Sequence, residues 1–323
     1  MSKLVGTREV YGETLAQLGE VHKDIVVLDA DLSTSTRTSL FARKFPDRFF
    51  NLGVAEQNMM STAAGLSVSG KIVFASTFAV FATGRCWEQI RYNIAFNKLN
   101  VKIVATHGGV TVGPDGGSHQ CAEDIAIMRV LPEMRVIVPA DGKEMREVIR
   151  TIIKIPGPFY VRSSRIKYPL ILDDDYKFVL GKGTILREGN DVSLIGTGLM
   201  VSQCLEAAEI LARESISSRV VNISTIKPID EKLLIDCALK TSGIVTAEEH
   251  SVIGGLGSAV AEVLSEECPT YIYKVAVQDK FGLSGSSDEL IEHFGLTPSH
   301  IVTAAKQVLD MRKRDESMVM AAR

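Results

Sequence analysis

Short runs of apolar, often β-branched residues alternate with longer segments of helical periodicity along almost the whole chain. In the first half this pattern predicts strands at residues 25–29, 48–52, 71–76, 101–106, 135–138 and 158–162, and helices at 55–68, 81–96, 120–130 and 142–153. Apolar strands that alternate with helices are typical of a buried parallel sheet covered by helices on both faces.

A polar, turn-rich stretch at residues 167–183 interrupts the alternation and is predicted to be a linker. Beyond it the pattern restarts, with strands predicted at 191–196, 218–223, 243–247 and 271–277, and helices at 200–213, 230–241, 257–267, 288–294 and 298–312. The expected fold class is therefore α/β with two consecutive domains. These are a parallel-sheet domain at 1–166 and a smaller, mostly parallel domain at 184–323.

The composition excludes several classes of protein but does not identify the function. The chain has 323 residues and a formal net charge of −3, so it can build two cores and lacks the clustered basic residues of a nucleic-acid-binding surface. Its five cysteines are scattered and form no CxxC pair, as expected for reduced thiols in the cytosol. No apolar signal segment and no apolar run of membrane-spanning length is found. We expect a soluble, cytoplasmic protein that binds neither nucleic acid nor membrane.

The stretch with the most candidate chemistry is the glycine-rich loop, residues 106–120, which follows a predicted strand. Ligands of open α/β sheets bind at such strand ends, and five glycines would let the backbone approach a ligand closely. One alternative is a flexible turn with surface histidines. A metal site of His107, His119, Cys121 and Glu123 is another, but the spacing matches no common zinc pattern.

Two further loops carry candidate residues. Glu56 lies in the first turn of a helix that directly follows a strand, where a glutamate either complements the helix dipole or, in a partly apolar setting, acts as an acid. Phe78 and Phe81 are three residues apart at a strand-to-helix junction, which suits core packing or a platform for an aromatic ring. The residues alone leave both pairs of alternatives open.

In combination these loops resemble the pyrimidine-binding domain of transketolases. Five stretches occur in family order: Ala-Asp-Leu at 30–32, the glutamate segment 53–58, the aromatic pair within 77–81, the glycine-rich loop with its Thr-His and Gly-x-Asp-Gly motifs, and Ser-Arg at 164–165. In the second domain, residues 248–250, 254–257 and 279–285 are similar to the transketolase C-terminal domain. Each motif is only moderately specific, but five in order are a strong signal.

The resemblance implies thiamine diphosphate as the cofactor. Glu56 would hydrogen-bond ring nitrogen N1′ of the aminopyrimidine and favour the imino tautomer, whose exocyclic nitrogen removes the thiazolium proton. This role needs a protonated carboxyl in a desolvated pocket. Phe81 would stack on the pyrimidine with Phe78 beside it, and Asp31 would line the same pocket.

The resemblance also implies transfer of a two-carbon ketol unit from a ketose phosphate to an aldose phosphate. The residues implied for substrate binding are Arg8, Ser35, His107, Asp115, His119 and Arg165. The two guanidinium groups suit a phosphate dianion, and Asp115 would recognise a substrate hydroxyl. His119 would lie near the donor carbonyl and would be catalytic together with Glu56.

The sequence departs from the family pattern at two points. Gly84 stands where some members have an aromatic residue, which puts that wall of the pyrimidine pocket in question. The Gly-Asp-Gly…Asn segment that holds magnesium and the diphosphate in transketolases has no match. We therefore expect no metal ligands on this chain. It would be the second subunit of a split transketolase, assembled as α2β2 with an N-terminal subunit that binds the diphosphate and most of the Mg²⁺ shell.

Other members of the wider enzyme class are the nearest alternatives. β-Subunits of 2-oxoacid dehydrogenases share the domain pair but do not usually have Thr-His-Gly-Gly, found here at 106–109, or Ser-Arg, found here at 164–165. Deoxyxylulose-phosphate synthases share Ala-Glu-Gln, found here at 55–57, but normally lack a histidine at the position of His107. A non-catalytic regulatory subunit could keep the same fold, although the retained set of polar residues argues against it.

Overall fold

The structure, a computed structural model, describes the backbone of residues 3–321 and the side chains of residues 3–314. The strands are β1 Leu4–Gly6, β2 Ile25–Asp29, β3 Phe49–Asn51, β4 Ile72–Ser76, β5 Val101–Ala105, β6 Arg135–Ile137, β7 Phe159–Arg162, β8 Lys167–Pro169, β9 Thr184–Arg187, β10 Val192–Gly196, β11 Ser218–Asn222, β12 Thr225–Lys227, β13 Ile244–Ser251 and β14 Ile272–Val277. The α-helices are α1 Thr7–Val21, α2 Ser33–Thr36, α3 Ser39–Lys44, α4 Glu56–Val68, α5 Trp87–Gln89, α6 Asp124–Arg129, α7 Gly142–Ile152, α8 Met200–Arg213, α9 Glu231–Lys240, α10 Leu256–Glu267, α11 Ser287–His293 and α12 Pro298–Ala321.

A seven-stranded sheet forms the centre of the first domain, in the order β12-β6-β7-β5-β4-β2-β3. Its strands β2 to β7 pair in parallel, and only β12 is antiparallel to its neighbour. Apolar residues of α1, α3 and α7 pack on one face, and those of α4 and α6 pack on the other. A parallel sheet buried between two layers of helices confirms the predicted fold class.

The second domain is built on a five-stranded sheet in the order β14-β13-β10-β11-β9. Four strands are parallel, and β9 is antiparallel at the edge. Helices α8 and α12 contribute to the core on one face, and α9 and α10 to the core on the other. Strand β12 leaves this domain and pairs with β6 of the first sheet, so one apolar core continues from the first domain into the second.

The segment predicted to be helical at 81–96 is helical over most of its length, but it is not one continuous α-helix. Two π-helical segments, Phe81–Arg85 and Ile90–Ala95, flank the short helix α5. Apolar periodicity does not distinguish π-helical from α-helical hydrogen bonding, and π-helical turns occur often beside functional sites. The helix predicted at 120–130 begins only at Asp124, because Cys121 pairs with Gly109 across the glycine-rich loop.

Strand β3 differs from the buried strand that the pattern predicts at 48–52. It lies at the edge of the sheet, and Phe50 and Asn51 are exposed. Within the predicted linker 167–183, strand β8 pairs antiparallel with β1 at the start of the chain. Over residues 3–321, no helix is both long and apolar enough to cross a membrane.

Candidate active site

The predicted site residues follow five neighbouring strands, β7, β5, β4, β2 and β3, at their carboxyl ends. Because these ends lie along one edge of the sheet, the loops that follow them converge there. The residues brought to this edge are Asp31, Ser35, Glu56, Phe78, Phe81, His107, Asp115, His119 and Arg165, and Arg8 reaches it from the first turn of α1.

Glu56 is the first residue of α4 and is only 2% exposed. Its Oε1 lies 2.8 Å from Nη1 of Arg85, whose side chain is 47% exposed. Its Oε2 is buried and has no hydrogen-bond partner. A buried polar atom is normally satisfied, so this oxygen is available to a polar group of a ligand.

Four rings form a cluster beside this carboxylate. Phe78 stacks on Phe81 with 5.9 Å between ring centroids and on His107 with 3.7 Å. His119 meets both phenylalanines edge-on, at 6.1 Å and 5.5 Å. Phe78 is buried whereas Phe81 is half-buried, so the ring of Phe81 is the more accessible of the two. The guanidinium of Arg85 lies 4.6 Å from the centroid of Phe81 and connects the rings to Glu56.

His107 adopts a left-handed backbone conformation, with φ of 61°, which non-glycine residues rarely adopt. Stacking on Phe78 and a 2.8 Å hydrogen bond between Nδ1 and Oγ1 of Thr106 hold it there. Burial, reinforced by the positive charges of Arg8 and Arg165, lowers the pKa of His107 to about 3. The imidazole is therefore neutral at physiological pH in the ligand-free chain.

Asp31 lies at the exposed side of the site. It also has a positive φ, and its Oδ1 accepts a 3.3 Å hydrogen bond from Nδ2 of Asn51. The preceding buried Asp29 holds this loop, accepting hydrogen bonds from the hydroxyls of Thr36 and Thr38 at 2.7 and 2.8 Å. Burial raises the pKa of Asp29.

Arg8 and Arg165 are held on adjacent segments. Oγ of Ser163 and Oγ1 of the neighbouring Thr7 are 2.8 Å apart, and Arg8 Nη1 donates to the carbonyl of Ser35 at 3.1 Å. Arg165 donates to the carbonyl of Val112 and lies 3.4 Å from Asp115. Burial, and to a lesser degree repulsion from nearby arginines, lowers the pKa of Arg8. Both positive charges thus act on His107 near the start of the glycine-rich loop, and Arg165 also contacts the middle of the loop.

Two residues that contact this site were not predicted from the sequence. Arg85 pairs with Glu56, which is 29 positions away in the chain. Glu249, in the second domain, binds the backbone of the glycine-rich loop. A signal existed for Glu249, since two adjacent acidic residues in the apolar strand β13 require buried partners. Among the described side chains, no group of three or more His, Cys, Asp or Glu residues could hold a metal ion.

Comparison with protein families agrees with this architecture. Residues 3–170 match the profile described as "Transketolase, pyrimidine binding domain", and residues 181–301 match "Transketolase, C-terminal domain". The chain belongs to the transketolase family. It carries the pyrimidine-binding and C-terminal domains of that family, as the resemblance predicts.

Three similar proteins match this chain over almost their full length. A protein of Methanocaldococcus jannaschii named as a transketolase C-terminal section is 50% identical over 96% of this chain and 97% of its own. The 6-deoxy-6-sulfo-D-fructose transketolase subunit SqwH of a Clostridium species is 42% identical over 94% of this chain and 95% of its own. A structure of a split-gene transketolase, described as an inactive β4 tetramer, is 52% identical. It superimposes with a TM-score of 0.89 over 95% of this chain and 99% of its own.

Proposed function

We propose that this chain is the catalytic-glutamate subunit of a split, thiamine-diphosphate-dependent transketolase. The observation that carries the proposal is the unpartnered, buried Oε2 of Glu56, whose Oε1 pairs with the guanidinium that lies over the ring of Phe81. A free carboxyl oxygen and an aromatic ring linked through one arginine suit a polar heterocycle that must be hydrogen-bonded and stacked at once. The family membership of the chain supports the same reading.

The residues present fit the aminopyrimidine of thiamine diphosphate. When bound, this cofactor supplies a nucleophilic carbon that cleaves and re-forms the bond next to a carbonyl. Glu56 would present Oε2 to ring nitrogen N1′, Phe81 would stack on the ring, and Phe78 backs Phe81. Arg85 fixes the other oxygen of Glu56, and Asp31 borders the open side. Gly84 leaves open space where an aromatic residue would stand.

The substrate side of the proposal rests on the charged residues around the glycine-rich loop. Arg8 and Arg165, with Ser35 and the neutral His107, bind the anionic end of a ketose or aldose phosphate. Asp115 accepts a hydrogen bond from a sugar hydroxyl, and His119 lies against the rings, close to the donor carbonyl. The reaction is transfer of a two-carbon ketol unit between sugar phosphates.

The cofactor's diphosphate and Mg²⁺ require a second chain in this proposal. No metal-binding cluster occurs among residues 3–314, and family-type Gly-Asp-Gly…Asn ligands are missing from the sequence. We infer an N-terminal, diphosphate-binding subunit in an α2β2 enzyme that works in the cytoplasm. The β4 tetramer described as inactive for a 52% identical chain supports the need for that partner. We also propose that the chain consists of two domains, at residues 1–166 and 184–323, joined by the linker 167–183.

Proton exchange at the thiazolium carbon tests the role of Glu56 without requiring turnover. In the assembled, cofactor-loaded enzyme, Glu56→Ala should slow exchange of this proton into D₂O by at least about a hundredfold, because it removes the acid that activates the pyrimidine. Glu88→Ala removes an exposed carboxylate of the same domain and should leave the exchange rate unchanged. Wild-type exchange in Glu56→Ala would refute the assignment.

A further inference from the structure

The glycine-rich loop is held in place mainly by the second domain. Glu249, on β13, accepts hydrogen bonds at its Oε1 from the amides of Val110 at 2.8 Å and Thr111 at 2.7 Å. Gly109 has a φ of 86°, and a Cβ there would overlap the Glu249 carboxylate. The loop backbone therefore wraps directly around this one side chain.

Glu249 is buried near the end of β13, where the strand is irregular. Pairing with β10 ends at Ala247, and pairing with β14 shifts register between Ala247 and Ser251, so contacts outside the sheet hold Glu249. Nη2 of Arg162 donates to the carbonyl of Glu249 at 2.8 Å and to that of Cys121 at 3.1 Å. Burial raises the pKa of Glu249, while the charge of Arg162 and the two loop amides act in the opposite direction. One buried ionic cluster thus connects the start and the end of the loop.

A second contact lies on the far side of the loop. Nε2 of Gln120 donates to the carbonyl of Val110 at 2.7 Å and to that of Leu283 at 2.8 Å. Oγ of Ser287 donates to the carbonyl of Thr111 at 2.9 Å. The loop is consequently enclosed between β13 and the segment that contains Leu283 and Ser287, and both belong to the second domain.

We propose that Glu249 is a positioning residue through which the second domain sets the conformation of the glycine-rich loop for binding of the sugar phosphate. The inference rests on the proposed function for the identity of the ligand. The loop carries His107, Asp115 and His119, so a shift of its backbone moves three substrate-binding side chains together. Glu56 and Phe81 lie on other segments, and the loop reaches them only through the ring contacts of His107 and His119. Binding of the aminopyrimidine should therefore depend on Glu249 less than binding of the sugar phosphate does.

The chain offers a matched control in the adjacent Glu248. This residue is also buried on β13, and it also accepts two backbone hydrogen bonds, from Leu256 at 2.7 Å and Gly257 at 2.8 Å. Those amides belong to the first turn of α10, within the second domain. Replacement of Glu248 therefore reproduces the loss of a buried carboxylate without removing a contact to the loop.

The test compares Glu249→Ala, Glu249→Gln and Glu248→Ala. In the full chain, Glu249→Ala should speed amide hydrogen exchange at Val110 and Thr111 by at least about tenfold, because both amides lose their acceptor. In the assembled enzyme, the KM for fructose 6-phosphate should rise at least about tenfold, since the competent loop conformation is less populated, while the Kd for thiamine diphosphate changes by a smaller factor. Glu249→Gln keeps an acceptor oxygen and should restore part of both properties.

Three outcomes would overturn the inference. The first is an unchanged rate of amide hydrogen exchange at Val110 and Thr111 in Glu249→Ala, and the second is equally fast exchange at these amides in Glu248→Ala. The third is faster exchange in Glu249→Ala without any change in the KM for fructose 6-phosphate. A wild-type assembly that transfers no ketol unit would refute the proposed function instead. The exchange rates at Val110 and Thr111 would then still decide whether Glu249 holds the loop.

Discussion

Lys102 is a fully buried lysine in the central strand β5, and its protonation should make the stability of the first domain depend on pH. Its Nζ donates to the carbonyls of Ile155 at 2.7 Å and Gly157 at 2.9 Å and lies 4.4 Å from the ring centroid of Phe159. No carboxylate is among these contacts. Burial, with repulsion from Arg135, lowers the pKa of Lys102 from 10.5 to about 7.

The sign of the effect follows from the two pKa values. Between pH 7 and pH 10.5 the unfolded chain binds more protons at this lysine than the folded chain, so the free energy of unfolding rises with pH across that window. Each unit of pKa difference corresponds to about 1.4 kcal/mol, so the free energy of unfolding rises by at most about 1.4 kcal/mol per pH unit. Keeping Lys102 protonated in the folded chain near neutral pH costs at most roughly 5 kcal/mol.

Lys102→Met removes this proton and leaves the two carbonyls without their donor at every pH. The cost of losing those hydrogen bonds is therefore the same at every pH. Any change with pH in the difference between the two free energies of unfolding then comes from the protonation of Lys102. Urea unfolding can be followed by the fluorescence of Trp87, the single tryptophan, whose Nε1 donates to the carbonyl of Ile127 in the same domain. From pH 7.5 to 9.5, wild type should gain stability relative to Lys102→Met by up to about 1.4 kcal/mol per pH unit.

The exposed Lys154, in the same domain, provides the control. Lys154→Met should follow the wild-type curve, because it removes an exposed side chain and leaves the buried Lys102 in place. Parallel curves for wild type and Lys102→Met would show that the buried ammonium costs nothing in the folded state, and the reasoning from burial would be wrong.

Two further predictions concern the active site. Arg165→Ala should raise the KM for fructose 6-phosphate by about tenfold or more, because it removes a charge that binds phosphate. The KM for fructose should change little. An equal rise in KM for both sugars would exclude the phosphate role. The purified chain alone should bind thiamine diphosphate poorly and transfer no ketol unit, as calorimetry and a coupled assay would show, since it lacks the diphosphate and metal site; full activity without a partner would contradict the split-enzyme proposal.

The convergence of the site loops could be predicted from the sequence because it depends on strand order and direction alone. Parallel strands end at a common edge, so Glu56, Phe78 and His107 were expected to lie together once the alternating pattern was recognised. Helix α1 was not predicted, and its glycines explain why. Gly12 lowers the intrinsic helix propensity of this segment. A Cβ at this position would overlap Arg37, so the close packing of α1 requires glycine although glycine weakens the helical signal in the sequence.

Contacts across long sequence separations could not be predicted in the same way. Strand β12 has three residues, too few for a period-two pattern, and it forms only because the edge of β6 is available to it. The pairing of Arg85 with Glu56 depends on the π-helical turn at Phe81–Arg85, which periodicity does not reveal. The role of Glu249 depends on how the two domains pack, which no local signal specifies.

The arginines and the histidine of the candidate site differ in how their charge would affect the binding of an anion. Burial and the charges of Arg8 and Arg165 lower the pKa of His107 to about 3, so its imidazole is neutral near pH 7 when no anion is bound. Burial lowers the pKa of Arg8, but a guanidinium stays protonated in proteins, and Arg165 lies close enough to contribute to that lowering. An anion placed between these arginines would relieve their mutual repulsion and part of the burial cost. That relief is gained only when the ligand is present, so the arginines favour an anionic substrate.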